Sequence, residues 1–508
     1  MTNAFSRRRF LAGAGMLGAA GALGAFPSLA ATSGASMTLL PGAAPTRWAE
    51  VLAAVNAKMQ TEIGCTLDAQ YFPWSNFGQQ SLLKFTTGEK FDTGLQGLWL
   101  NLAQLVKDGA VADLTDKIGA YPNLNAAVAK ELFEVNAWSG RIWGIPQVNT
   151  AARLYHHVYR QDLAEKYGMA IANFGDFERY LYTVKEKESG MIPFCAANGT
   201  AWILAIPRPT SMFDATSWES PNTIPLSYGG KGFWFFPAKD AATTGSASLV
   251  PFWEVPQVIE TFKRIRKYYN DGIINADAIT VDNATIQSQF VAGKYASTWA
   301  VTDGGSSARL PALRKNIPTA ALANVAPFAD RSKVKPNQTF QADNIVVINA
   351  NGGDVDRALQ IQDWLSIREN NDLLSLGVEG TDWKAVGDNS FEPISTYAFP
   401  GYALTWRTPL WRRPSYMSAS EAEIFSWSQD MANFTVDPFA SFRADQSEVS
   451  AEVNAMFNVM TEFGNPLYYG VVDVDQQIEQ LKRAADGAGL DKLLSTLETQ
   501  ANAHLANR

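Results

Sequence analysis

The stretch from residue 37 to residue 99 sets the fold class, because strand-like and helix-like runs alternate through it. Residues 37–40 are a short strand that ends in the turn-rich Pro41-Gly42-Ala43-Ala44-Pro45. Trp48, Val51, Leu52, Val55 and Met59 then recur at the spacing of one helix face. Residues 66–72 form the next strand, and a helix carrying Leu82, Leu83 and Phe85 stops near Gly88. A third strand, 93–98, ends at Trp99. This alternation predicts a parallel sheet with helices on its faces. Ligands of such sheets sit beyond the carboxyl ends of the strands. Here those ends carry Trp48, Trp74, Asn76 and Trp99.

Farther along, Gly140-Arg141-Ile142-Trp143-Gly144-Ile145-Pro146-Gln147 is a tight turn feeding an extended segment at 154–158. Residues 207–251, rich in Pro, Gly, Ser and aromatics, read as irregular surface structure. Pro256 opens a helix with Ile259, Phe262, Ile265 and Tyr269 on one face, closed by Asp271-Gly272. Strands are predicted at 296–301, which holds Trp299, and at 345–348, with an amphipathic helix at 355–365. The C-terminal part is mainly helical, with Val449, Val453, Met456, Phe457 and Met460 in one run and 476–484 in another.

The N-terminus reads as an export signal. Ser6-Arg7-Arg8-Arg9-Phe10-Leu11 leads into an uncharged apolar run that Pro27 breaks, and Ser28-Leu29-Ala30 supplies small residues for cleavage before Ala31. The arginine pair followed by Phe-Leu points to the twin-arginine (Tat) route. The run falls short of the roughly 20 residues a membrane span needs, so removal is favoured over anchoring. With no Cys near the cut, a lipid anchor is unsupported, and the expected address is periplasmic. Gly13-Ala14-Gly15-Met16-Leu17-Gly18 matches G-x-G-x-x-G, but it follows no strand and lies in the discarded segment.

Charged residues make up only 18% of the chain, below the usual quarter, and aromatics take their place: 15 Trp, 16 Tyr and 28 Phe. A net charge of −8 argues against nucleic acid as a partner. The cysteines, Cys65 and Cys195, read as buried thiols in different lobes rather than as a disulfide. His156, His157 and His504 lie in no metal-binding or triad-like spacing. No G-x-S-x-G, P-loop or H-E-x-x-H occurs, so no cofactor or metal is expected.

Four passages carry a family resemblance. They are Leu105-Val106-Lys107-Asp108-Gly109-Ala110-Val111-Ala112-Asp113-Leu114-Thr115; the Gly140 turn through Pro146; Tyr268-Tyr269-Asn270-Asp271-Gly272-Ile273-Ile274-Asn275 followed by residues 290–299; and Gly377-Val378-Glu379-Gly380-Thr381-Asp382-Trp383. In this order and spacing the chain resembles the extracellular solute-binding proteins of ABC importers, of the carbohydrate type (family 1). It is most similar to the long lipoprotein and alginate-oligosaccharide-binding branch.

The resemblance implies an α/β, two-lobed periplasmic-binding-protein fold (type II, maltose-binding-like) with discontinuous lobes, hinge crossings and the ligand in the cleft. By that analogy, after a signal at 1–30, residues 31–149 and 326–370 form the first lobe. Residues 150–325 and 371–508 form a larger, helix-rich second lobe. The implied partners are a carbohydrate and a membrane permease, with the protein acting as a monomer and not as an enzyme. Some alginate binders carry a calcium loop, but Lys185-Glu186-Lys187-Glu188-Ser189-Gly190-Met191 lacks the D-x-D-x-D-G array.

A sugar presents flat C–H faces and a rim of hydroxyls, which Trp and Tyr rings and amide, carboxylate or Arg groups match respectively. On that basis the ligand-binding candidates are Trp74, Asn76 and Trp99 from the first lobe, and Asn149 and Arg153 from the hinge. Trp299 with Asp303, and Trp383 with Glu379, are the candidates from the second lobe. Trp406, Arg407, Trp411 and Arg412 join them from the aperiodic stretch 402–414. An Arg cluster beside two Trp would suit a uronate; the alternative is a surface loop pairing with the protein's own carboxylates. The rival function is an exported carbohydrate-active enzyme using Glu379 and Asp382 as a carboxylate pair.

Overall fold

A computed structural model describes residues 33–97, 100–138, 140–147, 155–197, 224–228, 231–237, 241–301, 305–325, 337–338, 344–436, 438–439 and 442–507. The export signal lies outside them. The chain divides into two compact units, Met1–Asn149 with Ala342–Arg413, and Thr150–Gln341 with Pro414–Arg508.

Unit 1 is built on strands β1 (Gly34–Pro41), β2 (Cys65–Phe72), β3 (Thr93–Gln96) and β4 (Ile145–Gln147), with helices α1 (Trp48–Ile63) and α2 (Trp74–Thr86) between the first three. The α1 spacing read from the sequence buries Val51, Val55 and Met59. Gly64 ends the helix in the left-handed region, φ 68°, returning its N–H to Gln60 O. β1 pairs parallel with both β2 and β3.

The expected all-parallel sheet takes one antiparallel strand, because Asn344–Ile348 runs against β3 on one side and β4 on the other. The reason is where the chain re-enters: Asn344 lies opposite Gln147, near where the chain left the unit, so the strand must run back down. Gly144 makes this approach possible. A Cβ there would lie 2.5 Å from Ile345 Cγ2 and 2.8 Å from Val346 O.

The crossing expected near Asn370 falls after Arg413, because residues 371–413 pack in unit 1, and the one expected near Ala326 falls before Ala342. Leu374, Tyr397, Phe399, Ala403 and Leu404 share one apolar cluster with Val51, Val55, Met59 and Leu67. Burial of that size, at about 25 cal/mol per Å² of apolar surface, outweighs any local preference of the segment.

Unit 2 holds a four-stranded sheet in the order Leu322–Val325, Tyr155–Arg160, Tyr295–Val301, Ile192–Phe194. The helix Phe174–Lys187 packs on it, capped by Asn173, whose side chain accepts from Asp176 N. Tyr180 on this helix donates to the carbonyls of Arg160 and Ala296, both at 3.2 Å. The Pro256 helix spans Pro256–Asn270 but buries Val258, Phe262, Ile265 and Tyr268, a face turned slightly from the predicted one. Val449, Val453, Met456, Phe457 and Met460 all enter the same core.

The stretch 207–251, expected to be irregular, contains the strands Ile224–Tyr228, Lys231–Pro237 and Leu249–Pro251 in one antiparallel sheet. The run Gly232-Phe233-Trp234-Phe235-Phe236 is rich in aromatic strand formers, which overrides the flanking prolines. Cys65 and Cys195 are buried thiols in different units.

Candidate ligand-binding site

In unit 1 the register sets Gln96, Ile345 and Pro146 side by side at the carboxyl ends of β3 and β4. Trp74 follows the carboxyl end of β2 and opens α2 with its side chain 48% exposed, in a protein where large apolar side chains are otherwise mostly covered. Its ring stacks on Tyr402 (6.0 Å, 20° between planes) and meets Phe77 edge-on. Tyr402 in turn meets Trp406 edge-on at 5.7 Å.

The platform is locked from below. Thr405 N and Trp406 N both donate to Gly401 O, at 2.8 and 3.0 Å. Gly401 has no side chain, and a Cβ there would lie 2.7 Å from Trp406 Cδ1. Burial raises the Tyr402 pKa and a hydrogen bond with Trp74 partly offsets that, so the phenol stays neutral. Beside it, the Tyr71 hydroxyl is buried without a partner, and burial, helped by Tyr402, pushes its pKa well up. Neither tyrosine was among the sequence candidates. Tyr402 was signalled only by heading the aperiodic stretch, and Tyr71 by its place next to the end of β2.

The other candidates divide. Asn76 is exposed on the first turn of α2, beside Trp74. Trp299 is partly buried against the core of unit 2, and Trp411 is partly buried in unit 1. Trp99, Asn149, Arg153 and Asp303 lie outside the described residues.

Trp383, Arg407 and Arg412 are not the exposed loop groups that the sequence suggested. Trp383 is 4% exposed and its indole N–H donates to Gly377 O at 2.9 Å. Arg412 pairs with Asp372 at 2.7 Å and lies over the Trp383 ring. Arg407 is buried, donating to Gln147 Oε1 (2.9 Å), Gln362 Oε1 (2.6 Å), Ser366 Oγ (3.3 Å) and Trp406 O (3.0 Å). Burial with no anion beside it pulls its pKa down to about 9. The two arginines found partners across the fold, 40 or more positions away in the cases of Asp372, Ser366, Gln362 and Gln147.

Glu379 is exposed, whereas the Asp382 side chain is fully buried. Asp382 accepts from Arg47 Nε (2.7 Å), Ser395 Oγ (2.7 Å) and Val378 N (2.9 Å). Burial alone would raise its pKa, but those three donors outweigh it and hold it below the usual carboxylate range. A carboxylate so buried and engaged faces no solvent and has no proton to give at neutral pH. Gly377, at φ 92°, clears the way for it, since a Cβ there would lie 2.6 Å from Asp382 Cβ. Among the described residues no group of three His, Cys, Asp or Glu side chains could hold a metal ion.

Residues 438–506 match the family model "Domain of unknown function (DUF3502)". The chain is 26% identical over 481 residues to a carbohydrate ABC transporter substrate-binding protein of Streptococcus pneumoniae, covering 92% of this chain and 90% of that one. Its structure is similar to that of the N-glycan transport solute binding protein (NgtS) from Streptococcus pneumoniae, with TM-score 0.75 and 21% identity over 94% of this chain and 100% of that one. That protein has also been solved in complex with Man5GlcNAc. Alginate-binding protein AlgQ2 without calcium ion is similar at TM-score 0.63 and 14% identity, covering 92% of this chain and 98% of that one.

Proposed function

We infer that this chain, an extracellular solute-binding protein of the carbohydrate ABC-importer type, captures an oligosaccharide by hinge closure and hands it to a membrane permease. The observation that carries this reading is the exposed Trp74 ring, stacked and braced at the carboxyl ends of the unit 1 strands. A braced indole that stays partly exposed covers the C–H face of a pyranose with little entropy left to lose.

The ligand is a neutral glycan of the mannose-containing kind rather than a uronate. Support comes from Arg407 and Arg412, the cations expected to read a carboxylate, which are engaged inside unit 1. The relative solved with Man5GlcNAc points the same way. Export by the Tat route to the periplasm, without a lipid anchor, is supported by Arg7-Arg8-Arg9-Phe10-Leu11 and by the absence of Cys near Ala30. No helix among the described residues is long and apolar enough to cross a membrane.

Calorimetry of wild type and Trp74→Ala with Man5GlcNAc tests the site. The variant should bind about thirtyfold more weakly, a loss of about 2 kcal/mol typical of a central aromatic contact. Equal affinity in the two proteins would remove Trp74 from the site.

A further inference from the structure

We propose that Arg407 is a positioning residue for ligand capture, fixing within unit 1 the chain at all three places where it passes to or from unit 2. The passages fall after Asn149, before Ala342 and after Arg413. Gln147, two residues before the first, takes the Arg407 Nη1 hydrogen at 2.9 Å. Asn344, two residues after the second, is the register partner of that same Gln147. Arg407 itself lies six residues before the third.

The guanidinium does more than bridge these roots. Nη2 holds Gln362 Oε1 and Nε holds Ser366 Oγ, which ties the roots to the helix Val355–Trp364 and the turn after it. Nη1 also holds the carbonyl of Trp406, whose ring belongs to the aromatic platform. One side chain therefore connects the ligand face with the three hinge roots.

Its chemistry marks this as a geometric device. A buried ion with neutral partners only is poor for stability, and an apolar side chain of similar volume would fill the space at less desolvation cost. What an apolar residue cannot supply is a rigid planar fork with five donors that addresses several acceptors at once. The ammonium of a lysine is a point charge and cannot span Gln147, Gln362 and the Trp406 carbonyl together.

Unit 2 carries a counterpart built from neutral and acidic groups. Asn324 Nδ2 meets His156 Nε2 and Ser306 Oγ, both at 2.8 Å, and its Oδ1 accepts from Ser418 Oγ at 3.0 Å. Glu421, on the helix that Ser418 caps, accepts from Ser306 N and Ser307 N at 2.8 and 3.0 Å. His156 follows the first passage and Ser418 follows the third, so here too a buried polar cluster joins chain ends that enter the unit separately.

The inference rests on the proposed capture of oligosaccharide, and the test separates the two. Hydrogen exchange is measured without ligand, and Man5GlcNAc affinity by calorimetry, for wild type, Arg407→Met, Arg407→Lys and Arg357→Met. Arg357 is a control of similar kind in unit 1, paired with Asp92 just before β3, at the opposite end of the sheet. Both Arg407 variants should exchange faster jointly at 145–147, 344–348 and 401–410 and bind roughly tenfold to a hundredfold more weakly. Arg357→Met should lower the melting temperature without either effect. Unchanged exchange at those three segments in Arg407→Met, wild-type affinity in that variant, or equal loss of affinity in Arg357→Met would overturn the assignment. If wild type binds no glycan, the function reading fails while the exchange comparison still decides whether Arg407 fixes the roots.

Discussion

Asp382→Ala should destabilise unit 1 by about 3 kcal/mol or more, the usual result of removing one partner from a buried charged network. The carboxylate satisfies Arg47 Nε, Ser395 Oγ and Val378 N, and its loss leaves three donors without their acceptor. Arg47 adds to the effect. It is the one non-glycine residue among those described with positive φ, 62°, a conformation that an L side chain holds only when its surroundings fix it. Its side chain is held by the pair with Asp382, at the start of the helix that carries Trp48. Denaturant unfolding of Asp382→Ala against wild type reads the difference directly. The same variant addresses the enzyme reading, because the binding account expects no glycan turnover in wild type and therefore none for the variant to abolish.

Acidification should remove a second large share of stability, beginning above the range in which the depressed carboxylates titrate. His156 is buried in unit 2. Asn324 Oδ1 is taken by Ser418, so its Nδ2 faces His156 Nε2, which must accept, and the ring proton lies on Nδ1, buried without a partner. Burial first, then the charges of His157 and Arg309, push its pKa down to about 3 from 6.5. Glu421 reaches the same cluster through Ser306, Ser307 and Ser418.

Between pH 6.5 and 3 the unfolded chain binds this proton and the folded chain does not, so stability falls as pH falls through that window. The contribution is fully present above pH 6.5. Its whole size is on the order of 5 kcal/mol, at about 1.4 kcal/mol per pH unit. His156→Gln should flatten the wild-type slope between pH 6.5 and 4.5, above the range in which Asp382 and other depressed carboxylates take up protons. Parallel slopes for the two proteins in chemical denaturation would show that the ring is charged in the native state.

What was legible in the sequence was what local rules govern. Val51, Val55 and Met59 announced α1 by spacing alone, and Trp74 announced itself by standing where an alternating strand gives way to a helix. What was not legible depended on distant partners. Trp74 and Trp383 look alike as tryptophans in polar surroundings, yet one is exposed and the other is closed in by Arg412 and the Gly377 carbonyl. The arginines of the stretch 402–414 fitted a carboxylate-binding cluster and a loop pairing with the protein's own carboxylates equally well, and only the distant Asp372, Gln147 and Gln362 decide between them. The same blindness moved the expected crossing from Arg413 to Asn370, since nothing local in 371–413 says that its apolar residues complete the core around α1.

The central claim, capture of a neutral oligosaccharide, is tested most directly by titrating the mature chain with Man5GlcNAc and, separately, with an alginate oligosaccharide in a calorimeter. Saturable binding of the mannose-containing glycan with one site per chain, and no heat from the uronate, is the predicted result. Binding of the uronate alone, or slow hydrolysis of either glycan, would contradict it.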